Sequence, residues 1–165
     1  MIVEYWLDGE AYHVSARRDI DSAITKVIEA LEWERPVPVG FFPGTVGEFH
    51  VFNVSEISEI PPYAENSLRI GINKETKFGG MTWSGEDSEH SDHFHWITKN
   101  DSPPDFDPRV TSDDGHPLWY DRRNVIPIEK IRTAIEEYFF NGGLRPPSLE
   151  WEPGTVHGQR LDAKY

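Results

Sequence analysis

The spacing of hydrophobic residues changes twice along the chain, and this change most limits the folds open to it. Apolar side chains recur three and four positions apart between residues 20 and 31, and again between residues 128 and 139. That spacing is typical of amphipathic helices. Between these two helical segments lie short runs of β-branched and aromatic residues, which are broken by glycine, proline and asparagine. These runs predict strands. We therefore expect an α+β fold, with an antiparallel sheet and two amphipathic helices packed on one face.

The boundaries of the elements follow from the turn residues. Pro127 suits the first turn of the second helix, and Gly142 and Gly143 suit its end. We expect one domain over residues 1–152 and a loosely ordered tail over 153–165, which begins with proline and contains Gly154 and Gly158. The predicted strands are 2–7, 12–14, 39–42, 49–54, 68–72, 78–83, 94–98 and 149–152.

Cysteine is absent from the 165 residues. Disulfides, thiolate nucleophiles and zinc sites built on sulfur are therefore excluded. The first residues lack the basic and apolar regions of a secretion signal, and no long apolar run occurs. These features predict a cytoplasmic protein without a membrane span.

The charge of the chain is strongly negative: 29 acidic side chains stand against 16 basic ones, for a formal net charge of −13. Such a surface repels nucleic-acid backbones and anionic membranes, so neither is expected as a direct partner. It suits a basic protein partner, whose approach its field would accelerate. The alternative is that acidity serves solubility alone.

Residues 86–114 carry nine acidic and two basic side chains, and their prolines predict long exposed loops. We expect a partner to bind here, with Trp83 and Trp96 as aromatic anchors. The alternative for both tryptophans is a place in the core, because tryptophan is buried on average. The residues predicted to contact the partner are Trp83, Glu86, Asp87, Glu89, Asp92, Trp96, Asp101, Asp105 and Asp107.

A histidine cluster gives the one enzyme-like pattern. His90, His93 and His95 lie within six residues, and on a strand the last two would share a face where they could bind a metal. No metalloenzyme spacing, phosphate-binding loop or nucleophile elbow accompanies them. We therefore predict no catalytic residue, metal or cofactor, and keep a metal-dependent enzyme built on these histidines as an alternative hypothesis.

Two stretches resemble a known family. The first runs from Val125-Ile126-Pro127 through Gly142-Gly143 and Arg145-Pro146 to Leu149-Glu150-Trp151, and the second joins residues 68–72 to residues 80–85. Together they resemble an Imm-type family of immunity proteins of bacterial polymorphic toxin systems. The resemblance covers the second half of the chain and implies an α+β domain that binds a toxin's catalytic domain without enzyme activity. It also implies that the toxin is a nucleic-acid deaminase.

The favoured hypothesis is that this acidic protein binds a basic toxin domain and blocks its substrate cleft. An adaptor for an unrelated basic partner is the third hypothesis, beside the metal-dependent enzyme.

Overall fold

In the computed structural model, which describes residues 1–7, 9–88 and 91–162, an eight-stranded antiparallel sheet carries two helices on one face. The predicted α+β fold is therefore confirmed. The helices are α1 (Arg17–Ala30) and α2 (Ile128–Phe140). The strands are β1 (Ile2–Leu7), β2 (Glu10–Val14), β3 (Trp33–Pro36), β4 (Phe41–Gly44), β5 (Val46–Phe52), β6 (Asn66–Asn73), β7 (Phe78–Gly85), β8 (His95–Lys99), β9 (Val125–Pro127) and β10 (Glu150–Pro153).

Sequential hairpins build the centre of the sheet. Strands β5, β6, β7 and β8 form a meander, and the hairpin of β1 and β2 joins it through β1. Strand β10 pairs with β8 at the other edge. Strand β9 pairs with the first residues of β7, at Phe78–Gly80, while β8 pairs with the last ones, at Thr82–Ser84. Strands β3 and β4 form a separate hairpin.

The main core lies between the sheet and the two helices. Helix α1 buries Ile24 and Val27, and helix α2 buries Ile135 and Phe139, against inward residues of β1, β5, β6 and β7. Each such side chain contributes about 1.5–3 kcal/mol when it leaves water. Within the described residues, neither helix is long and apolar enough to cross a bilayer.

The opposite side of the sheet, which we call the open face, is partly covered by two irregular segments, 106–120 and 154–160. Val110 and Tyr120 pack there with Ile97 of β8 in a second, smaller core. The Tyr120 hydroxyl lies 2.9 Å from the Thr82 hydroxyl. The prediction of long exposed loops within residues 86–114 is therefore wrong for residues 110–113, which are buried.

Within the predicted tail, residues 154–162 make defined contacts. Gly154 bridges to Arg160, and Gln159 donates a hydrogen bond to the carbonyl oxygen of Trp119 at 3.2 Å. Gly158 has a φ of +72° and lies so close to Tyr120 that an added Cβ would come within 2.7 Å of its ring. The tail glycine therefore fits a tight turn against the core. Residues 163–165 lie outside the described residues.

Candidate partner-binding surface

Three connections meet at one end of the sheet: 53–65, 86–94 and 141–149. We call their described residues the loop end. The indole of Trp83 donates a hydrogen bond to the Gly143 carbonyl at 3.0 Å, and the Gly85 amide donates one to the Phe94 carbonyl at 3.0 Å. These bonds fix the second and third connections to the end of β7.

A groove runs between the three connections. It consists of two cavities of about 980 and 630 Å³, which share Trp83, Gly85, Glu86, Phe94 and Leu144 in their lining. The first lies between the second and third connections, and the other reaches the first connection. The three connections therefore form one continuous concave surface.

Apolar side chains at the loop end are exposed. Phe94 and Leu144 expose 49 % and 61 % of their surface, and Tyr63 of the first connection exposes 84 %. The described residues of the loop end also include six carboxylates and one basic side chain, Arg145. An apolar centre with a charged rim is the usual anatomy of a protein interface. The carboxylates are those of Glu56, Glu59, Glu65, Glu86, Asp87 and Asp92.

Arg145 holds the groove together from within. Its Nη2 donates a hydrogen bond to Oδ2 of Asp87 at 2.6 Å, and its guanidinium carbon lies 3.9 Å from the centre of the Trp96 ring. A charge-assisted hydrogen bond and a cation–π contact therefore join the second and third connections to β8. Asp87 is therefore paired with Arg145 within the protein, and its predicted contact with a partner stays a prediction.

Both predicted tryptophan anchors belong to the core. Trp83 is 2 % exposed and Trp96 is 5 % exposed, and both pack in the main core cluster. The side chains therefore occupy the core position of the alternative interpretation, and their contact with a partner stays a prediction. They support the groove from beneath, since Trp83 bonds to Gly143 and Trp96 stacks on Arg145.

The remaining predicted contacts do not form one patch. Glu86 and Asp92 lie at the loop end, whereas Asp101, Asp105 and Asp107 follow β8 and lie at the opposite end of the sheet. Phe106 contacts Phe78 there, with ring centres 5.9 Å apart, where β7 begins. The five residues of β8 separate the two groups by about 17 Å, at 3.3 Å per residue. Glu89 lies outside the described residues.

The histidine cluster is also divided. His93 lines the larger cavity and contacts the Trp96 ring edge-on at 5.9 Å. His95 lies on the open face, where its Nδ1 is 2.8 Å from the Ser84 hydroxyl. His90 lies outside the described residues, and among those described no group of three potential ligands is placed to hold a metal. The structure therefore does not bring His93 and His95 together as ligands.

The loop of residues 53–65 was missed by the sequence interpretation, although a signal for it exists. In an antiparallel meander, alternate connections share an end of the sheet. The β5–β6 and β7–β8 connections must therefore meet, which places the exposed Tyr63 near Phe94. Both residues line a third cavity of about 300 Å³ on the open face.

Charged side chains form a network across the open face. His50 Nδ1 lies 2.9 Å from a Glu4 oxygen, and His50 Nε2 lies 3.4 Å from a Glu48 oxygen. Arg69 contacts Glu48 at 3.9 Å and Asp113 at 3.3 Å. Burial opposes a charge on His50, but its bonds to Glu48 and Glu4 outweigh burial and raise its pKa above 6.5. For His95, burial and the charges of Arg69 and His157 all lower the pKa.

These two histidines predict opposite dependences of stability on pH. A raised pKa in the folded state means that His50 stabilises the fold fully below pH 6.5 and loses this effect as pH rises through its folded pKa. We expect His50→Gln to lower the free energy of unfolding by about 2 kcal/mol at pH 5.5, the scale of hydrogen bonds to charged groups, and by less at pH 8.5. Urea denaturation at both pH values measures this.

His95→Gln is the matched control. Because its pKa is lowered, the contribution of His95 is present above pH 6.5 and declines as pH falls toward the folded pKa. The cost of His95→Gln is therefore expected to be smaller at pH 5.5 than at pH 8.5. Equal pH dependences for the two variants would contradict this description of the network.

The residues that carry the family resemblance now have structural roles. Gly143 accepts the Trp83 bond, Arg145 pairs with Asp87, and the Trp151 indole donates to the Pro146 carbonyl at 2.9 Å. An added Cβ on Gly143 would lie 2.5 Å from the Asn66 side chain. These residues attach the third connection to the sheet, so they build the groove as well as mark the fold.

Comparison with known proteins agrees with this resemblance. The family model described as immunity protein Imm1 matches residues 8–153, from the first turn to the end of β10. No curated protein matches the chain. The family match covers most of the chain, including all three connections of the loop end, and it indicates an immunity protein that acts against a toxin. The chain therefore belongs to the Imm1 family of immunity proteins.

Proposed function

We propose that the protein inhibits its cognate toxin by seating the loop end in the toxin's basic substrate cleft. The observation that carries this proposal is the loop end itself, which exposes Tyr63, Phe94 and Leu144 and whose described residues include six carboxylates and one arginine. A toxin that acts on nucleic acid needs a cationic cleft, because phosphate contacts dominate nucleic-acid affinity. The loop end would compete directly for that cleft.

The toxin class that we propose is a nucleic-acid deaminase, which the family resemblance implies, and the place of action is the cytoplasm. Inhibition requires no reaction by the immunity protein. Carboxylates at the rim accelerate encounter with a basic surface, and buried apolar contacts slow dissociation. A standard interface buries about 800 Å² on each partner. That is close to a tenth of this protein's 9123 Å² surface, so one end of the molecule is large enough.

Co-expression with the toxin domain encoded beside this gene tests the proposal. Cells that carry both proteins are expected to survive, and cells that carry the toxin alone are expected to die. The purified proteins should form a stable complex in which toxin activity on its nucleic-acid substrate is lost. A complex that leaves that activity intact would refute occlusion of the cleft, and failure to protect would refute the pairing.

A further inference from the structure

The third cavity of the open face lies beside the groove and has a chemistry of its own. Its volume is about 300 Å³, and its lining includes Glu48 and His50 of β5, Ser67 of β6, Ser84 of β7 and Tyr63 of the first connection. It therefore combines a carboxylate, an imidazole, two serine hydroxyl groups and the exposed phenol ring of a tyrosine. Such a lining complements a cationic side chain with several N–H donors.

We propose that this cavity receives an arginine side chain of the toxin, which stacks on Tyr63 and forms an ion pair with Glu48. The proposal rests on the proposed function and names a specific contact within it. Tyrosine and arginine are the residue types most enriched, with tryptophan, among interface positions that dominate affinity.

Glu48 can accept a further cation, because the two basic side chains beside it, Arg69 and His50, each lie closer to another acceptor than to Glu48. Arg69 lies 3.9 Å from Glu48 but donates hydrogen bonds to Asp113 at 3.3 Å and to the Val156 carbonyl at 3.0 Å. His50 is 3.4 Å from Glu48 but 2.9 Å from Glu4. About a third of the Glu48 side chain is exposed. Glu48 thus has two long contacts with its own cations and an exposed portion where a carboxylate oxygen can accept a hydrogen bond from an incoming guanidinium.

Tyr63 offers the second half of the contact. Its side chain is 84 % exposed, which leaves the ring available to a partner. The protein already stacks arginines on aromatic rings elsewhere, with Arg109 3.7 Å from the centre of the Trp119 ring and Arg145 3.9 Å from that of Trp96. A guanidinium is weakly hydrated and planar, so it stacks at lower desolvation cost than an ammonium group. This favours arginine over lysine as the occupant.

The test measures binding of the purified toxin domain to single variants. Glu48→Gln and Tyr63→Ala are each expected to weaken the complex at least tenfold. The matched controls are Glu75→Gln, in the turn at the opposite end, and Val39→Ala, at a β3–β4 hairpin tip that is 92 % exposed. Both controls are expected to bind within twofold of the wild type.

Replacing the toxin's arginines one at a time by alanine identifies the occupant. One replacement is expected to weaken binding of the wild-type immunity protein tenfold or more. The same replacement is expected to weaken binding of the Glu48→Gln variant little further, because the effects of removing two groups in contact do not add. Strictly additive effects for every toxin arginine would overturn the inference.

The outcomes separate this inference from the proposed function. If the wild type inhibits the toxin while both variants bind like the controls, the arginine site is refuted and the proposed function stands. If the wild type does not bind the toxin, both fail. If Glu48→Gln does not fold, Tyr63→Ala decides alone, because removal of an exposed ring leaves the core unchanged.

Discussion

Reversing the charge of Glu86 and Asp92 together, as Glu86→Lys with Asp92→Lys, is expected to slow association with the toxin at least a hundredfold at low salt. Both residues are exposed and line the larger cavity of the groove, and Asp92 keeps 77 % of its side chain accessible. The change places two positive charges where a basic cleft must approach. Charge at an interface rim acts mainly on the association rate, and salt screens it.

The matched control for this variant is Asp101→Lys with Asp105→Lys. It produces the same net charge, but both residues lie beyond β8 at the opposite end of the sheet. Asp101 contacts Lys99 at the surface, an interaction worth little to stability. We expect this control to slow association less than tenfold. Stopped-flow mixing at two salt concentrations measures both rates, and equal loss in the two variants would show that total charge, not the loop end, governs capture.

Gly71→Ala is expected to produce the largest loss of stability from a single methyl group, about 3 kcal/mol. Gly71 lies in β6, and an added Cβ would lie 1.9 Å from the carbonyl oxygen of Thr111 on the segment that covers the open face. This contact is with backbone and not with the end of a flexible side chain, so the whole covering segment 106–120 must shift to relieve it. Overpacking of this kind costs about 1–3 kcal/mol or more. A typical domain has only 5–15 kcal/mol of stability, so protection from the toxin should fall as well.

Gly115→Ala provides the comparison. Gly115 has a φ of +69°, and nothing lies within 4 Å of its added Cβ. Its substitution should cost only the strain of a left-handed backbone, about 1–2 kcal/mol. Urea denaturation of the two variants measures the difference. A smaller effect at Gly71 than at Gly115 would mean that segment 106–120 does not rest on β6 as described.

The helices and the central hairpins could be predicted because their signals are local. Pro127 predicts the start of helix α2, and Gly142 and Gly143 predict its end. Both predicted bounds lie within a few residues of the observed ones. Strand β9 is three residues long and pairs with β7 across nearly fifty positions of sequence, so no local pattern indicated it. The contact of Gly158 with Tyr120, a residue far from it in the sequence, likewise has no local signal.

The sequence interpretation named some residues of the candidate surface and missed others. Acidic composition drew attention to Glu86 and Asp92, which line the larger cavity, but composition does not show which carboxylates are already paired. The partner of Asp87 is Arg145, 58 positions away, and only the folded chain brings them together. Likewise, a count of charges along residues 86–114 cannot show that β8 divides them between two ends of the sheet.

The central claim is that the loop end is the surface that meets the toxin, and amide hydrogen exchange of the free and bound protein tests it most directly. The account predicts slower exchange on binding in peptides from residues 53–65, 86–94 and 141–149, with little change in 100–109 and in the β3–β4 hairpin. Slowed exchange confined to the opposite end, with the three connections unaffected, would contradict it.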